Sequence, residues 1–148
     1  MNQIVFAISA ALMGGFLLAL QPPTNAMLAR SVGSTLNAAM VSFAVGTLVL
    51  LAAALVARAR PDLAAARALP WWTWLGGAYG AVFVFAIAYG APRIGVAATL
   101  TLAIAAQLAT AVALDHFGAL GLPARPISFG RLAGVILVFA GAVLVRRG

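Results

Sequence analysis

The sequence contains no cysteine, no lysine and no glutamate, and its only acids are Asp62 and Asp115. Without a thiol there is no disulfide, no thiolate metal site and no cysteine nucleophile. With a single histidine, His116, and two acids in 148 residues, a hydrolase or metalloenzyme has almost nothing to work with. No Walker loop, no zinc-ligand spacing and no serine with both a histidine and an acid nearby in the chain is found. Charge of either sign is scarce, at 7% of residues against about 25% in an ordinary soluble domain. Such a chain lacks the polar surface that a water-exposed fold needs. A soluble enzyme is excluded, and neither catalysis, nor a metal, nor a cofactor is expected.

What fills the chain instead is apolar: 65% of residues are hydrophobic and the mean hydropathy is +1.12. A membrane-crossing helix needs about 20 mostly apolar residues. The sequence reads as an all-α integral membrane protein, one domain over residues 1–148 with five transmembrane helices at about 3–30, 36–57, 71–90, 96–117 and 129–145. The apolar start resembles a signal peptide, but no basic residue precedes it and it exceeds an h-region of about 7–15 residues; it is expected to stay as a permanent helix. An outer-membrane barrel would show alternating segments of about ten residues rather than these continuous runs. Trp71, Trp72 and Trp74 cluster where the third helix begins, as indoles in a headgroup layer do.

All nine basic residues are arginine, and the net charge is +7. They occur singly or in twos and threes between apolar runs, as helix flanks do, rather than in one patch, so the expected partner is a lipid bilayer and not nucleic acid. With five crossings, Arg58, Arg60, Arg67, Arg125 and Arg131 fall on one side and Arg30, Arg93, Arg146 and Arg147 on the other, five against four. A fixed orientation normally carries a clear excess of basic residues in the cytoplasmic loops. The near balance predicts dual topology and an antiparallel homodimer, the alternative being a fixed orientation with a separate, oppositely inserted partner.

Few side chains inside the spans can do chemistry. Gln21 and Asn25, four apart, share one face of the first helix with Gly14. Pro22 and Pro23 are expected to interrupt that helix and to free the carbonyls of Leu18 and Ala19. Broken helices of this kind often form solute sites in transporters, the competing reading being a kink satisfied by Thr24 or a neighbouring helix. Gln107, with Thr110 one turn on, lies mid-helix, either as a solute ligand or as glue between helices. Tyr79, one turn before Phe83, lines a cavity or packs. Asp115 is the only acid at the edge of an apolar segment, and His116 follows it. The pair either links proton binding to conformation or anchors the helix end by pairing with an arginine of the following loop. Gly76 and Gly80, and Gly130 and Gly134 continued by Gly141, have the small-residue spacing of close helix packing, with dimerisation through the fifth helix a further expectation.

The order of Gln21, Asn25, Ala26, Leu28, Arg30, Gly33 and Ser34, then Val41, Ser42, Phe43 and Gly46, resembles the YdcZ-type family of the drug/metabolite transporter superfamily. Ala91 to Gly95, Gln107, Leu114 to Gly118, and Arg131, Leu132, Gly134, Val135 and Gly141 extend the resemblance over nearly the whole chain. It implies a bacterial inner-membrane protein whose five helices correspond to one repeat of ten-helix relatives, in which two inverted units enclose a solute cavity. Related small multidrug exporters rely on a membrane-embedded glutamate. This chain has none, which argues against proton-coupled export of cationic drugs and points to a neutral or hydrogen-bonding solute. The expected function is secondary transport of a small metabolite or drug-like solute by alternating access at a dimer interface. The alternatives are a passive dual-topology channel and a non-transporting accessory subunit.

Overall fold

The computed structural model describes residues 2–148, and among them the regular structure is entirely helical. The long helices are α1 (Gln3–Val32) and α2 (Thr35–Val56), then, after the short α3 (Leu63–Arg67), α4 (Gly76–Ile94), α5 (Val96–Phe117) and α6 (Phe129–Arg147). A 3-10 turn, Trp71–Leu75, leads into α4, and together they make one span, so that five segments are long and apolar enough to cross a membrane. Trp71 and Trp74 are exposed at the start of that span, where an interfacial ring is useful. Contacts within the chain gather into two compact units, Met1–Tyr89 and Gly90–Gly148.

In the first unit α1 and α2 form a hairpin around Gly33 and Ser34. Gly33 sits at φ +85°, the left-handed conformation that ends a helix and that glycine adopts without strain. Ser34 then caps α2, its Oγ accepting from the Asn37 N–H at 3.0 Å, while Asn37 Nδ2 donates to the Val32 carbonyl at 2.9 Å. Helix-end groups left open by the turn are thus partly satisfied inside it. The 22 residues of α2 rise about 33 Å, enough for a hydrocarbon core of about 30 Å. Both helices are largely apolar, with polar side chains of α1 gathered at Gln21, Thr24 and Asn25. On α4, Gly80 leaves room for the Phe43 ring, since a Cβ there would stand 3.4 Å from Phe43 Cζ.

The expected interruption at Pro22 and Pro23 is not a break in the backbone helix, which runs unbroken to Val32. Each proline removes one N–H, so the carbonyls of Leu18 and Ala19 lose the donor four residues on. Thr24 Oγ1 donates to the next carbonyl, Leu20, at 2.8 Å, and the Pro22 ring is fully buried.

In the second unit the end of α4 turns into α5 at Gly95, φ +86°. The approach is close: a Cβ on Gly90 would lie 2.9 Å from Thr99 Cγ2 and 3.2 Å from Thr99 Oγ1. α5 and α6 pack as a second hairpin, joined by residues 118–128. That connection leaves α5 through left-handed Gly118 and contains a left-handed leucine, Leu120 at φ 60°. It ends at Ser128, whose Oγ accepts from Arg131 N–H at 3.3 Å to cap α6.

Candidate functional site

Gln21 and Asn25 are one turn apart on α1 and so share a helical face. Gln21 is half-buried and lines an open groove of about 200 Å³, with Ser42, Phe43, Gly46 and Thr47 of α2 and Val84 of α4 among its other walls. It also borders a shallower depression with Gly14, Leu17 and Leu18, the face the sequence pattern assigns to Gly14 and Gln21. Asn25 is 4% exposed, and its Nδ2 has no hydrogen-bond partner. A buried donor left in that condition costs about 1–3 kcal/mol.

The polar atoms of the groove are equally uncommitted. Elsewhere in the spans threonines hide their hydroxyls by donating to the carbonyl one turn back: Thr24 to Leu20, Thr99 to Gly95, Thr101 to Ala97 and Thr110 to Ala106, at 2.7–2.9 Å. Thr47 does the same to Phe43 at 2.9 Å, which leaves its oxygen an acceptor only. Neither Gln21 nor Ser42 makes a hydrogen bond within the chain among the described residues. Ser42 is a polar residue of the groove that sequence reasoning did not single out as a site candidate. The signal available was its spacing four before Gly46, the same small-residue pattern that marks the third and fifth spans.

The far end of α5 is tied to the residues that follow it. Asp115 Oδ2 accepts from Arg131 Nη2 at 2.7 Å, both side chains about one-third exposed at 31% and 32%. The Asp115 carbonyl accepts from Arg125 N–H at 2.6 Å, and Arg131 Nη1 donates to the Arg125 carbonyl at 3.4 Å. His116 Nδ1 accepts from Ile127 N–H at 3.3 Å. The ring meets Phe117 edge-on at 4.9 Å. The ion-pair partner is therefore an arginine in the first turn of α6 rather than one in the connecting loop, where Arg125 contributes backbone.

The remaining candidates are dispersed. Tyr79 is 65% exposed and does not line the groove. Gln107, on α5 in the second unit, is exposed, and its amide makes no hydrogen bond within the chain among the described residues. A Cβ added at Gly130, Gly134 or Gly141 would meet nothing within 4 Å, so that stripe of α6 has no close neighbour among the described residues. No cluster of three potential metal-ligating His, Asp or Glu side chains occurs among the described residues.

The profile of the family described as "Putative inner membrane exporter, YdcZ" matches residues 6–144. Inner membrane protein YdcZ of Escherichia coli (strain K12) is 42% identical over 77 residues, 52% of this chain and 51% of that protein, so the matched stretch spans about half the length of the relative. No solved structure matches.

Proposed function

Because the chain belongs to the YdcZ family of the drug/metabolite transporter superfamily, we propose that it is a secondary transporter moving a small metabolite or drug-like solute across the bacterial inner membrane by alternating access at the interface of an antiparallel homodimer. The family places it in the inner membrane, and five spans make it multi-pass. The observation that carries the transport reading is the buried, unpartnered Asn25 amide, which does not itself line the groove but lies one turn along α1 from Gln21, which does. A ligand moves a conformational equilibrium only by binding one state better than another. A solute oxygen that reaches Asn25 Nδ2 in one state removes a penalty of about 1–3 kcal/mol there, a bias of about five-fold to more than a hundred-fold between states.

Pairing of two copies draws support from the second unit. Gln107 offers an unengaged amide on the outside of a span, and hydrogen bonds between membrane helices, worth about 0.6 kcal/mol on average, add to close packing over small residues such as Gly130, Gly134 and Gly141. Orientation is weakly specified as well. With Arg131 in the first turn of α6 and paired to Asp115, the remaining arginines divide four against four between the two sides. Asp115 is the candidate for coupling to protons, with His116 beside it, since protonating the carboxylate would release Arg131.

The test is flux in reconstituted vesicles, with and without a pH gradient, for a panel of labelled solutes: an aromatic alcohol, an amide, an amino acid and tetraphenylphosphonium. Uphill accumulation of any of them is expected. Strictly downhill flux would make the protein a passive channel, and no flux at all an accessory subunit. Orientation is read separately in this cysteine-free chain by Gly148→Cys, which should react with an impermeant thiol reagent from both sides of the membrane in comparable amounts.

A further inference from the structure

We infer that the groove walled by α1, α2 and α4 is a solute seat that admits uncharged molecules and rejects both cations and anions, with Gln21 and Ser42 holding a hydroxyl or amide group against apolar walls. The inference rests on the transporter reading and names the class of solute.

Charge is absent from the lining, and it is also remote along α1 and α2. Arg30 is nine residues beyond Gln21 on α1, about 13 Å along its axis, and Arg58 lies past the end of α2, whose last residue, Val56, is fourteen beyond Ser42, about 21 Å. An ion entering the groove would shed water and find no counter-charge, the condition in which charge inside a membrane is most expensive. A neutral solute meets no such barrier. The Gln21 amide both donates and accepts, the Ser42 hydroxyl does either, and the Thr47 oxygen accepts. A hydroxyl or primary amide answers all three, while Phe43, Leu50 and Val84 cover an apolar body.

Size narrows the class further. Drug-sized ligands occupy pockets of about 300–1,000 Å³, and this groove has about 200 Å³, which suits a molecule on the scale of a single substituted ring. A lipid acyl chain would fill the volume but leave Gln21 and Ser42 without partners at membrane depth, where unsatisfied polar groups cost most.

The absence of native cysteine allows a direct test. Ser42→Cys, with Thr47→Cys on the same wall in case the first fails to fold, is reacted in nanodiscs with hydroxyethyl, aminoethyl and sulfonatoethyl methanethiosulfonates, which are neutral, cationic and anionic. Rates are normalised to those with mercaptoethanol in water. The neutral reagent should react about tenfold or more faster than both charged ones. Benzamide should protect the thiol, its charged near-isosteres benzamidinium and benzoate should not, and Gln21→Leu should abolish the benzamide protection. A normalised cationic or anionic rate within about twofold of the neutral one overturns the inference, as does protection by benzamidinium, or benzamide protection that is absent or survives Gln21→Leu. A disulfide between copies through the introduced cysteine would make the groove an interface, and reaction with lipid-soluble maleimides alone would make it a lipid site; either overturns it too. Failure here is separable from failure of transport. Uphill movement of tetraphenylphosphonium without the charge order defeats this inference and keeps the transporter, whereas the charge order without flux of any solute keeps the seat and defeats the transporter.

Discussion

Where α5 meets α6, the carboxylate of Asp115, the Nδ1 of His116 and the guanidinium of Arg131 all have partners within a few residues of one connection; between α1 and α2, Gln21 and Ser42 have none and Asn25 has a buried N–H with no acceptor. The two hairpins are built from the same apolar material and differ in what their polar groups are doing. A hydrogen bond closed within the chain fastens one segment to another. An open one at membrane depth is a cost until a partner offsets it. The contrast is local to these two clusters, since Gln107 on α5 is open as well and Thr24, Asn37 and Thr47 in the first hairpin are bonded.

The largest effect is expected from forcing the close approach in the second unit. Gly90→Val places a side chain against Thr99, which cannot easily swing away because its hydroxyl donates to Gly95 at 2.7 Å. Overpacking of this kind costs about 1–3 kcal/mol, visible as a lower melting temperature in detergent, and Thr99→Ala in the same chain should recover most of it.

At the open cluster the sign reverses. Asn25→Leu should leave stability unchanged or raise it by about 1 kcal/mol, since it removes an orphaned donor, while weakening solute binding about five-fold to a hundred-fold. Gln21→Leu should weaken binding in the same range. Calorimetric binding and melting of the same samples separate the two effects; a strong loss of stability in Asn25→Leu would make that residue structural.

Asp115→Asn probes the clasp itself. A pair one-third exposed at the membrane edge is worth about 1 kcal/mol or less, so melting should fall only slightly, while amide hydrogen exchange over residues 118–128 quickens. Uphill, proton-driven transport should be lost with downhill flux retained. Wild-type uphill transport in this variant would remove Asp115 from coupling. The smallest effect on the isolated chain belongs to Gly134→Leu, where a Cβ meets nothing within 4 Å: monomer melting should hold, and cross-linking between copies should fall.

Much of the helical layout is legible in the sequence because the apolar runs are long and their ends are punctuated. Gly33 and Ser34 supply the left-handed residue and the cap between α1 and α2, and Gly95 does the same work before α5. The proline pair misleads, because rules learned from isolated helices count the lost N–H groups and cannot count the burial that holds Pro22 in place. Residues 118–128 have no period to read, and a leucine in the left-handed region leaves no compositional trace. On the site, the pattern singles out Gln21 and Asn25 by their spacing and Asp115 by its isolation; of the solute-binding candidates Gln21 lines the groove, while Asn25, Tyr79 and Gln107 do not, and Ser42 and Val84 are among its other walls. Serine in an apolar run is a weak signal until its neighbours across the helix pair are known.

The turn at Gly33 and Ser34 also limits how the groove can change. Two residues, pinned by Asn37 to both sides of the turn, give no slack for α1 to slide along α2, so the pair has the kinematics of a single lever. Gln21 and Ser42, on its two arms, keep a fixed stagger whatever the lever does. The third wall, Val84, comes from α4 and stands outside that turn, so the spacing of the hydrogen-bonding groups and the width of the opening are set by different parts of the chain.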